Sequence, residues 1–244
     1  MGNYFLAEWK KTRKIQIILI GITFLLFASF IGLGIYFANR EVLKEGTQSL
    51  VLWGQLTFYN SSLLFPPMLA IFTAILFIPE FERKNIEFLK ANQVSMGKLY
   101  CGKLVSICIL LLCIQLFLFF IFIVSSKIDG IVLDFNLFVY IKWVLLSIIA
   151  SFSIITLQSY IIVKTKSFSK SIGWATVGSM LNFVLIFVSE RLTQFFPYSQ
   201  PMIALRSRAL ADISSSDLLL FLAVNVTYIV VFSRLTISTL NCKN

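Results

Sequence analysis

The fold class is decided by residues 102–124, GKLVSICILLLCIQLFLFFIFIV, a run whose only charged side chain is Lys103. As a helix this run extends about 35 Å, and the hydrocarbon core of a bilayer is about 30 Å thick. Its polar content inside the apolar part is small, with Gln115 as the single amide. The stretch therefore predicts a helix that crosses a membrane.

The composition of the whole chain supports the same prediction. Of its 244 residues, 58% are hydrophobic and 13% are charged, and the mean hydropathy is +0.89. A soluble domain of this length has about a quarter charged residues and cannot bury so much apolar surface in one core. The net charge of +10 does not indicate nucleic acid, because the basic residues form short clusters between apolar runs.

Six apolar runs are long enough to span a bilayer. They cover residues 15–38, 53–78, 102–124, 137–163, 171–189 and 216–237. An even number of spans places both termini on one side of the membrane. The segments on that side contain fourteen of the 21 Lys and Arg residues. The positive-inside rule therefore predicts that both termini are cytoplasmic. We expect an all-α integral membrane protein with six transmembrane helices, forming one domain over residues 1–244.

Catalytic and metal chemistry have few residues to use in this chain. Histidine is absent, which removes the commonest metal ligand and the usual general base near neutral pH. Residues 97–103, GKLYCGK, approach a phosphate-binding loop, but Leu104 stands where Ser or Thr must hold Mg²⁺. The cysteines show no CxxC spacing and are expected to be buried thiols: Cys101, Cys108, Cys113 and Cys242. We expect no catalytic residue, no metal site and no bound cofactor.

The longest connection on the predicted cytoplasmic side is residues 79–101, PEFERKNIEFLKANQVSMGKLYC. Pro79 suits the first position of a helix, and Glu80 and Glu82 complement the positive end of its dipole. One sector of this helix is apolar, with Phe81, Ile86, Phe88 and Leu89, and the opposite sector has Arg83, Lys84, Glu87 and Lys90. The pattern predicts an amphipathic helix over residues 80–91 that lies on the membrane surface or in a partner's groove.

Two polar residues, Glu82 and Asn85, fall inside the apolar sector of this helix. An unpaired carboxylate against lipid or protein costs several kcal/mol, so such a residue usually has a partner. Two interpretations stay open. Either the pair contacts an associated protein or a basic residue of the same chain, or the start of the helix is solvated.

The connection from this helix to the third span begins with a break at residues 92–95, Asn-Gln-Val-Ser. Ser95 is expected to cap the turn that leads into the span. Lys98, Tyr100 and Lys103 are expected to anchor the span at the inner interface, where Lys and Tyr are favoured.

This order of elements resembles the cytoplasmic loop of ABC-2-type permeases. In that family a Glu-rich helix after the second span is followed by a Pro-Val-Ser tripeptide and then by a Lys-x-Tyr motif. Here Gln93-Val94-Ser95 and Lys98-Leu99-Tyr100 match these motifs, with glutamine where proline is usual. In length, six-span plan and short loops, the chain is most similar to the lantibiotic-immunity permeases.

The resemblance implies that residues 80–91 are a coupling helix, which docks on a cytoplasmic ABC ATPase dimer that binds the ATP and Mg²⁺. The implied coupling residues are Glu80, Phe81, Glu82, Arg83, Asn85, Phe88 and Leu89, and the loop residues are Val94, Ser95, Lys98, Tyr100 and Lys103. A second permease subunit, homologous or identical, completes the complex in the bacterial cytoplasmic membrane. The implied substrate is a cationic amphipathic peptide of the lantibiotic kind, with a bacitracin-type exporter as the alternative.

Each of the spans three to six carries one amide side chain: Gln115, Gln158, Asn182 and Asn225. Amides within spans either hydrogen-bond between helices or line a substrate path, and both interpretations stay open. No charged residue lies clearly at mid-membrane, which disfavours a carrier driven by protons or sodium.

The outward loops offer further polar residues. The last one, about residues 190–215, contains Phe195-Phe196-Pro197-Tyr198, then Arg206 and Arg208. This composition favours a short interfacial or re-entrant helix, with an irregular surface loop as the alternative. The acidic residues of the first two outward loops, compatible with a cationic substrate, are Glu41, Glu45, Asp129 and Asp134.

Two other classes of function account for less of the sequence. A membrane enzyme, such as an intramembrane peptidase or a lipid transferase, needs ionisable groups or metal ligands in or beside its spans. This chain has no histidine and no paired carboxylates within a span. A non-transporting membrane anchor or sensor is compatible with the amphipathic helix. An ATPase partner whose hydrolysis rate responds to the chain distinguishes a transporter from such an anchor.

Overall fold

A computed structural model describes residues 2–43, 46–82, 85–133 and 135–242 of the chain. Its α-helices are α1 (Gly2–Lys11), α2 (Lys14–Ala38), α3 (Gln48–Tyr59), α4 (Phe65–Phe81), α5 (Asn85–Ala91), α6 (Met96–Ile128), α7 (Leu137–Thr165), α8 (Phe168–Val188), α9 (Glu190–Phe195), α10 (Gln200–Ala204) and α11 (Ser215–Asn241). A π-helical turn at Asn60–Leu64 joins α3 to α4, and 3₁₀ turns occupy Arg40–Val42 and Pro197–Ser199. No β-strand occurs within the four described ranges.

Among the described residues, six helical stretches are long and apolar enough to cross a membrane. They are α2, the continuous stretch Gln48–Phe81 formed by α3 and α4, and then α6, α7, α8 and α11. The six apolar runs of the sequence fall on these six stretches. The predicted all-α membrane fold with six spans is therefore confirmed.

The start of the first described span and the end of the sixth lie at the same end of this bundle, because the number of described spans is even. Two hydrogen bonds join the short helices α1 and α5 to spans at that end. Lys103 at the start of α6 donates to Glu8 of α1 over 2.7 Å, and Lys90 of α5 donates to the carbonyl of Cys242 after α11 over 2.8 Å. We call this end the termini face, and the end that carries the connections after α2, α6 and α8 the opposite face.

The centre of the bundle forms around α7, which packs against α4, α6, α8, α10 and α11. Toward the opposite face, four buried aromatic rings join α3, α6 and α7: Trp53, Phe122, Tyr140 and Trp143. Their ring centroids are 4.7 Å apart for the closest pair and 6.0 Å for Trp53 and Trp143. Aromatic pairs at such distances contribute about 0.5–1.5 kcal/mol each beyond the area that they bury.

The second span is irregular at its middle, and two prolines explain why. Pro66 and Pro67 have no backbone N–H, so the carbonyl of Ser62 lacks an intrahelical donor in either the α or the π register. Asn182 of α8 donates its Nδ2 to that carbonyl over 3.1 Å. A neighbouring span therefore supplies the hydrogen bond that the prolines remove, as hydrocarbon surroundings require.

The connection between α8 and α11 returns into the bundle. Tyr198, Ser199 and Gln200 are buried, and α10 packs against α7. Gln200 bonds to Asn225, which lies about 15 Å along α11 from its first residue. The connection thus has the re-entrant form, because a segment at this depth must bury its polar backbone in protein.

The cysteines lie differently from the expectation. Cys101, Cys113 and Cys242 are exposed free thiols, and the thiol of Cys108 is half-buried. A spanning helix such as α6 is apolar on its protein side and on its lipid side, so an apolar sequence neighbourhood does not distinguish the two. The prediction of buried thiols is therefore wrong for three of the four.

Candidate functional site

The segment after the second span differs from the predicted helix at its start. α4 continues to Phe81, so Glu80 and Phe81 belong to the span, and Pro79 lies inside a helix instead of opening one. The separate helix on the termini face is α5, which covers only Asn85–Ala91. The prediction of one helix over residues 80–91 is therefore wrong in its first part, because buried contacts hold Glu80 in the span.

Between the two helices the backbone leaves the helical conformation. Glu82 is extended, with φ −77° and ψ 145°, and its side chain is exposed. Arg83 and Lys84, which were assigned to the coupling helix, lie outside the described residues. Because Glu82 is solvated, it needs no protein partner to offset burial.

Four charged side chains at the termini face form a cluster: Glu8, Lys11, Glu80 and Lys103. Lys103 Nζ lies 2.7 Å from Glu8 Oε2 and 2.8 Å from Glu80 Oε1, and these three side chains are at most 4% exposed. Lys11 is half exposed, and its Nζ lies 3.5 Å from Glu8 and 3.6 Å from Glu80. Two positive and two negative charges balance within this charge cluster, which is what a buried site requires.

Lys103 is the centre of the charge cluster. Besides the two carboxylates, its Nζ donates to the carbonyl of Leu76 over 2.8 Å, so all three of its donors are used. The same Nζ lies 5.6 Å from the centroid of the Phe77 ring. Lys103 is therefore not the interfacial anchor that the sequence predicted, because it is buried and ties α6 to α1 and α4.

Asn85 connects α5 to the charge cluster. Its Nδ2 donates to Glu80 Oε2 over 2.6 Å, while Glu80 Oε1 accepts from Lys103. The two polar residues of the apolar sector thus have different explanations. Asn85 forms a hydrogen bond with Glu80 of the same chain, whereas Glu82 is exposed to solvent. The carboxylate that needs buried partners is Glu80.

The short helix α5 has an inner and an outer side. Ile86 and Leu89 pack against the hydrophobic core, whereas Phe88 is 67% exposed and Glu87 is also exposed. Phe88 was grouped with the inner residues, but at about 100° per residue it lies roughly 200° around the helix from Ile86. α5 therefore presents an aromatic ring and a carboxylate away from the bundle.

The loop after α5 begins with a helix C-cap of the Schellman type. Gln93 has a φ of +57°, its N–H donates to the carbonyl of Lys90, and the N–H of Val94 donates to the carbonyl of Leu89, both over 3.0 Å. The left-handed conformation at this position favours glycine, and proline cannot adopt it. A proline at position 93 is therefore incompatible with this cap.

The next residues start the third span. Ser95 Oγ accepts a hydrogen bond from the N–H of Lys98 over 3.5 Å, which confirms Ser95 as the N-cap of α6. Lys98 is exposed, as an interfacial anchor is. Tyr100 is buried instead, and its hydroxyl lies 3.2 Å from Ser233 Oγ of α11.

Three of the four span amides hold the re-entrant connection in place. Gln158 of α7 donates to the hydroxyl of Tyr198 over 2.8 Å, and Ser199 donates to Asn182 Oδ1 of α8 over 2.5 Å. Asn225 of α11 donates to Gln200 Oε1 over 2.8 Å. Three consecutive residues are thus bound to three different spans, and these amides form hydrogen bonds between helices.

Gln115 is the exception. It is 1% exposed, and neither its Nε2 nor its Oε1 has a hydrogen-bond partner among the described residues. A buried amide without partners costs about 1–3 kcal/mol. Of the four amides, Gln115 alone has no hydrogen-bond partner within the described ranges.

The sequence profile of the family described as ABC-2 family transporter protein matches residues 4–188. The chain belongs to this family. The matched range is more than half of the chain and contains the charge cluster, α5 and the first five spans. No curated protein and no solved structure matches the chain.

As an ABC-2 permease, the chain is the membrane-spanning component of an ABC transporter and works with an ABC ATPase in a membrane complex. The family is a transport component and is not itself catalytic. The permease therefore has to receive the energy of ATP hydrolysis through contacts with its partner.

Sequence reasoning missed two features of the permease. The role of Glu8 was not foreseen, although it is the one acidic residue in the basic N-terminal segment, because its partner Lys103 is 95 residues away. The binding of Tyr198, Ser199 and Gln200 to three spans was also missed. The available signal was that each of those spans carries one amide.

Proposed function

We propose that this permease is part of an exporter that removes cationic amphipathic peptides of the lantibiotic kind from the bacterial cytoplasmic membrane, and so gives the cell immunity to them. Its partners in this proposal are a cytoplasmic ABC ATPase dimer, which holds the ATP and Mg²⁺, and a second permease subunit. The observation that carries the proposal is α5, a helix with an exposed Phe88 that is fastened to the buried charge cluster.

The proposed orientation places the termini face in the cytosol. Fourteen of the 21 Lys and Arg residues belong to that side of the predicted topology, and the positive-inside rule assigns such a side to the cytoplasm. In this orientation α5 lies where an ATPase is able to reach it.

The proposed coupling runs from the outer side of α5 into the spans. Phe88 and Glu87 contact the ATPase, and aromatic anchors of this kind supply much of the binding energy of protein interfaces. Asn85 passes the displacement to Glu80 and Lys103, and Lys90 passes it to the end of α11 through the carbonyl of Cys242. Closure of the ATPase dimer then shifts packed helices relative to one another, as in other hinge and shear transitions.

The proposed substrate class rests on the resemblance to the lantibiotic-immunity permeases. Of the outward acidic residues, Glu41 is exposed, while Asp129 forms an ion pair with Arg40 and accepts a hydrogen bond from Tyr36 over 2.7 Å. Glu45 and Asp134 lie outside the described residues. Glu41 is the described outward carboxylate that we assign to substrate contact.

The coupling proposal is tested by ATPase stimulation in the reconstituted complex. We expect Phe88→Asp to lower the stimulation of the ATPase by the permease roughly thirtyfold, because loss of an interface anchor costs about 2 kcal/mol. Val42→Asp is the matched control, since Val42 is an 80% exposed apolar residue on the opposite face. Normal stimulation by Phe88→Asp in an assembled complex contradicts the docking assignment.

The substrate proposal is tested by peptide tolerance. Cells that express the complete complex are expected to tolerate a lanthionine peptide better than cells that express the Phe88→Asp complex. Equal tolerance of the two, or a gain only against bacitracin, contradicts the lantibiotic assignment.

A further inference from the structure

A cavity of about 310 Å³ lies at the opposite face, between the end of α8, the re-entrant connection and the start of α11. Its lower wall is apolar and includes Ile186, Met202 and Phe221. Its rim carries four charged side chains, Glu190, Arg206, Arg208 and Asp217. The cavity therefore combines a hydrophobic interior with both signs of charge at its mouth.

The two arginines of the rim form their direct hydrogen bonds to backbone carbonyls. The Arg206 guanidinium donates to the carbonyls of Ala211 over 3.0 Å and Asp212 over 3.4 Å, and Arg208 donates to the carbonyl of Ile186 over 3.2 Å. No ion pair within 4 Å joins either arginine to an acidic residue in the described part of the chain. Both guanidiniums are held in position by backbone carbonyls, and Arg206 also interacts electrostatically with Asp217 and Asp212 beyond ion-pair distance.

The two carboxylates of the rim are likewise unpaired in the described ranges. Glu190 and Asp217 lie in the first turns of α9 and α11, where the helix dipoles favour negative charge. That explains their position, and neither carboxylate is in direct contact with a cationic side chain of the described ranges. A ligand with one anionic and one cationic group matches both kinds of charge in the rim.

We propose that this cavity binds the headgroup of a zwitterionic phospholipid from the adjacent leaflet. Arg206 and Arg208 hold the phosphate, for which guanidinium groups are well suited, and Glu190 and Asp217 face the ammonium group. The first methylenes of the acyl chains occupy the apolar wall.

The size and charge of the cavity favour a lipid over the exported peptide. Its volume is at the lower end of the range for pockets that hold small molecules, so it fits a headgroup but not a peptide of many residues. The four rim charges sum to zero, so the rim does not attract a strongly cationic peptide. The assignment goes beyond the proposed function and does not depend on it.

The cavity is also linked to the fold of the re-entrant connection. Gln200 lines it, accepts from Asn225 of α11 over 2.8 Å and donates to the carbonyl of Gln194 over 2.8 Å. A bound headgroup therefore contacts a residue that holds the connection inside the bundle, and binding raises thermal stability by mass action.

The test uses the purified full chain in non-ionic detergent and dihexanoyl phosphatidylethanolamine as the probe. We expect a saturable rise in the unfolding temperature, and no comparable rise with dihexanoylglycerol, which lacks the charged headgroup. Arg206→Gly is expected to weaken the apparent affinity roughly tenfold, because it removes a charge-assisted contact. Glycine suits this position, since Arg206 has a φ of +52° and caps α10.

The matched control is Lys166→Gly, because Lys166 also has a left-handed φ, +50°, at a helix end but lies on the termini face. It is expected to leave the affinity for the lipid unchanged. Equal shifts in the Arg206→Gly protein and the native protein overturn the proposal, as does an equal shift with dihexanoylglycerol. Equally tight binding of phosphatidylglycerol also overturns it, since that lipid has no ammonium group.

Discussion

Lys103 shows at the scale of one residue how a charge is accommodated near a membrane interior. Its three donors are used by Glu8, Glu80 and the carbonyl of Leu76, and its side chain is 3% exposed. Such a residue contributes little net stability compared with an apolar one, but removing it alone leaves carboxylates buried without a counter-ion.

We therefore expect Lys103→Met to lower the free energy of unfolding by about 3–5 kcal/mol. Thermal unfolding in detergent measures the loss. Lys170→Met, which removes an exposed lysine on the same face, is the control and should change stability by less than about 0.5 kcal/mol. Adding Glu80→Gln to Lys103→Met should recover part of the loss, and no recovery would contradict the paired-charge explanation.

Gln93 is a second case at the residue scale, because its left-handed backbone favours glycine. We expect Gln93→Gly to raise the free energy of unfolding by about 1 kcal/mol. Gln93→Pro should lower it by at least about 1 kcal/mol, since proline cannot adopt a φ of +57° and loses the bond to the carbonyl of Lys90. Unfolding temperatures check both, and a stable proline variant would contradict the observed cap.

The elements were predictable where local chemistry determines them. Each of the six spans followed from an apolar run, and Ser95 was recognised as the cap of α6 from its place before that run. The prediction of one helix over residues 80–91 was wrong because Glu80 forms ion pairs with Lys11 and Lys103. These two lysines also pair with Glu8 in the charge cluster. Contacts between residues that are far apart along the chain leave no periodic pattern in the amino-acid sequence.

The packing of the re-entrant connection against α8 can be tested at a single glycine. The ring of Tyr198 lies over Gly178 of α8, and a Cβ at Gly178 would lie 2.4 Å from a ring carbon. We expect Gly178→Ala to lower the free energy of unfolding by about 1–3 kcal/mol. The Tyr198 ring must move, and this displaces its hydroxyl from the hydrogen bond with Gln158.

Gly173→Ala is the matched control on the same helix. A Cβ at Gly173 meets no atom within 4 Å, so this change should raise helix stability by up to about 1 kcal/mol. Thermal unfolding of the two variants compares them directly. Equal effects of the two substitutions would contradict the packing of Tyr198 on α8.

At the scale of the whole molecule, α11 physically joins the two regions described above. Its end contacts α5 through Cys242 and Lys90, and its middle contacts the re-entrant connection through Asn225 and Gln200. The same helix packs along α7 but has little buried surface otherwise. A displacement of α5 by the ATPase therefore has a continuous helix through which to reach the opposite face, which is how we expect coupling to occur.

The central claim is that α5 faces the cytosol and meets the ATPase through Phe88. Its most direct test is labelling of Phe88→Cys, in a permease whose four native cysteines are replaced by serine, with a membrane-impermeant maleimide. We expect labelling in inside-out vesicles, no labelling in right-side-out vesicles, and protection when the ATPase is bound. Labelling from the cell exterior, or undiminished labelling with the ATPase bound, would contradict it.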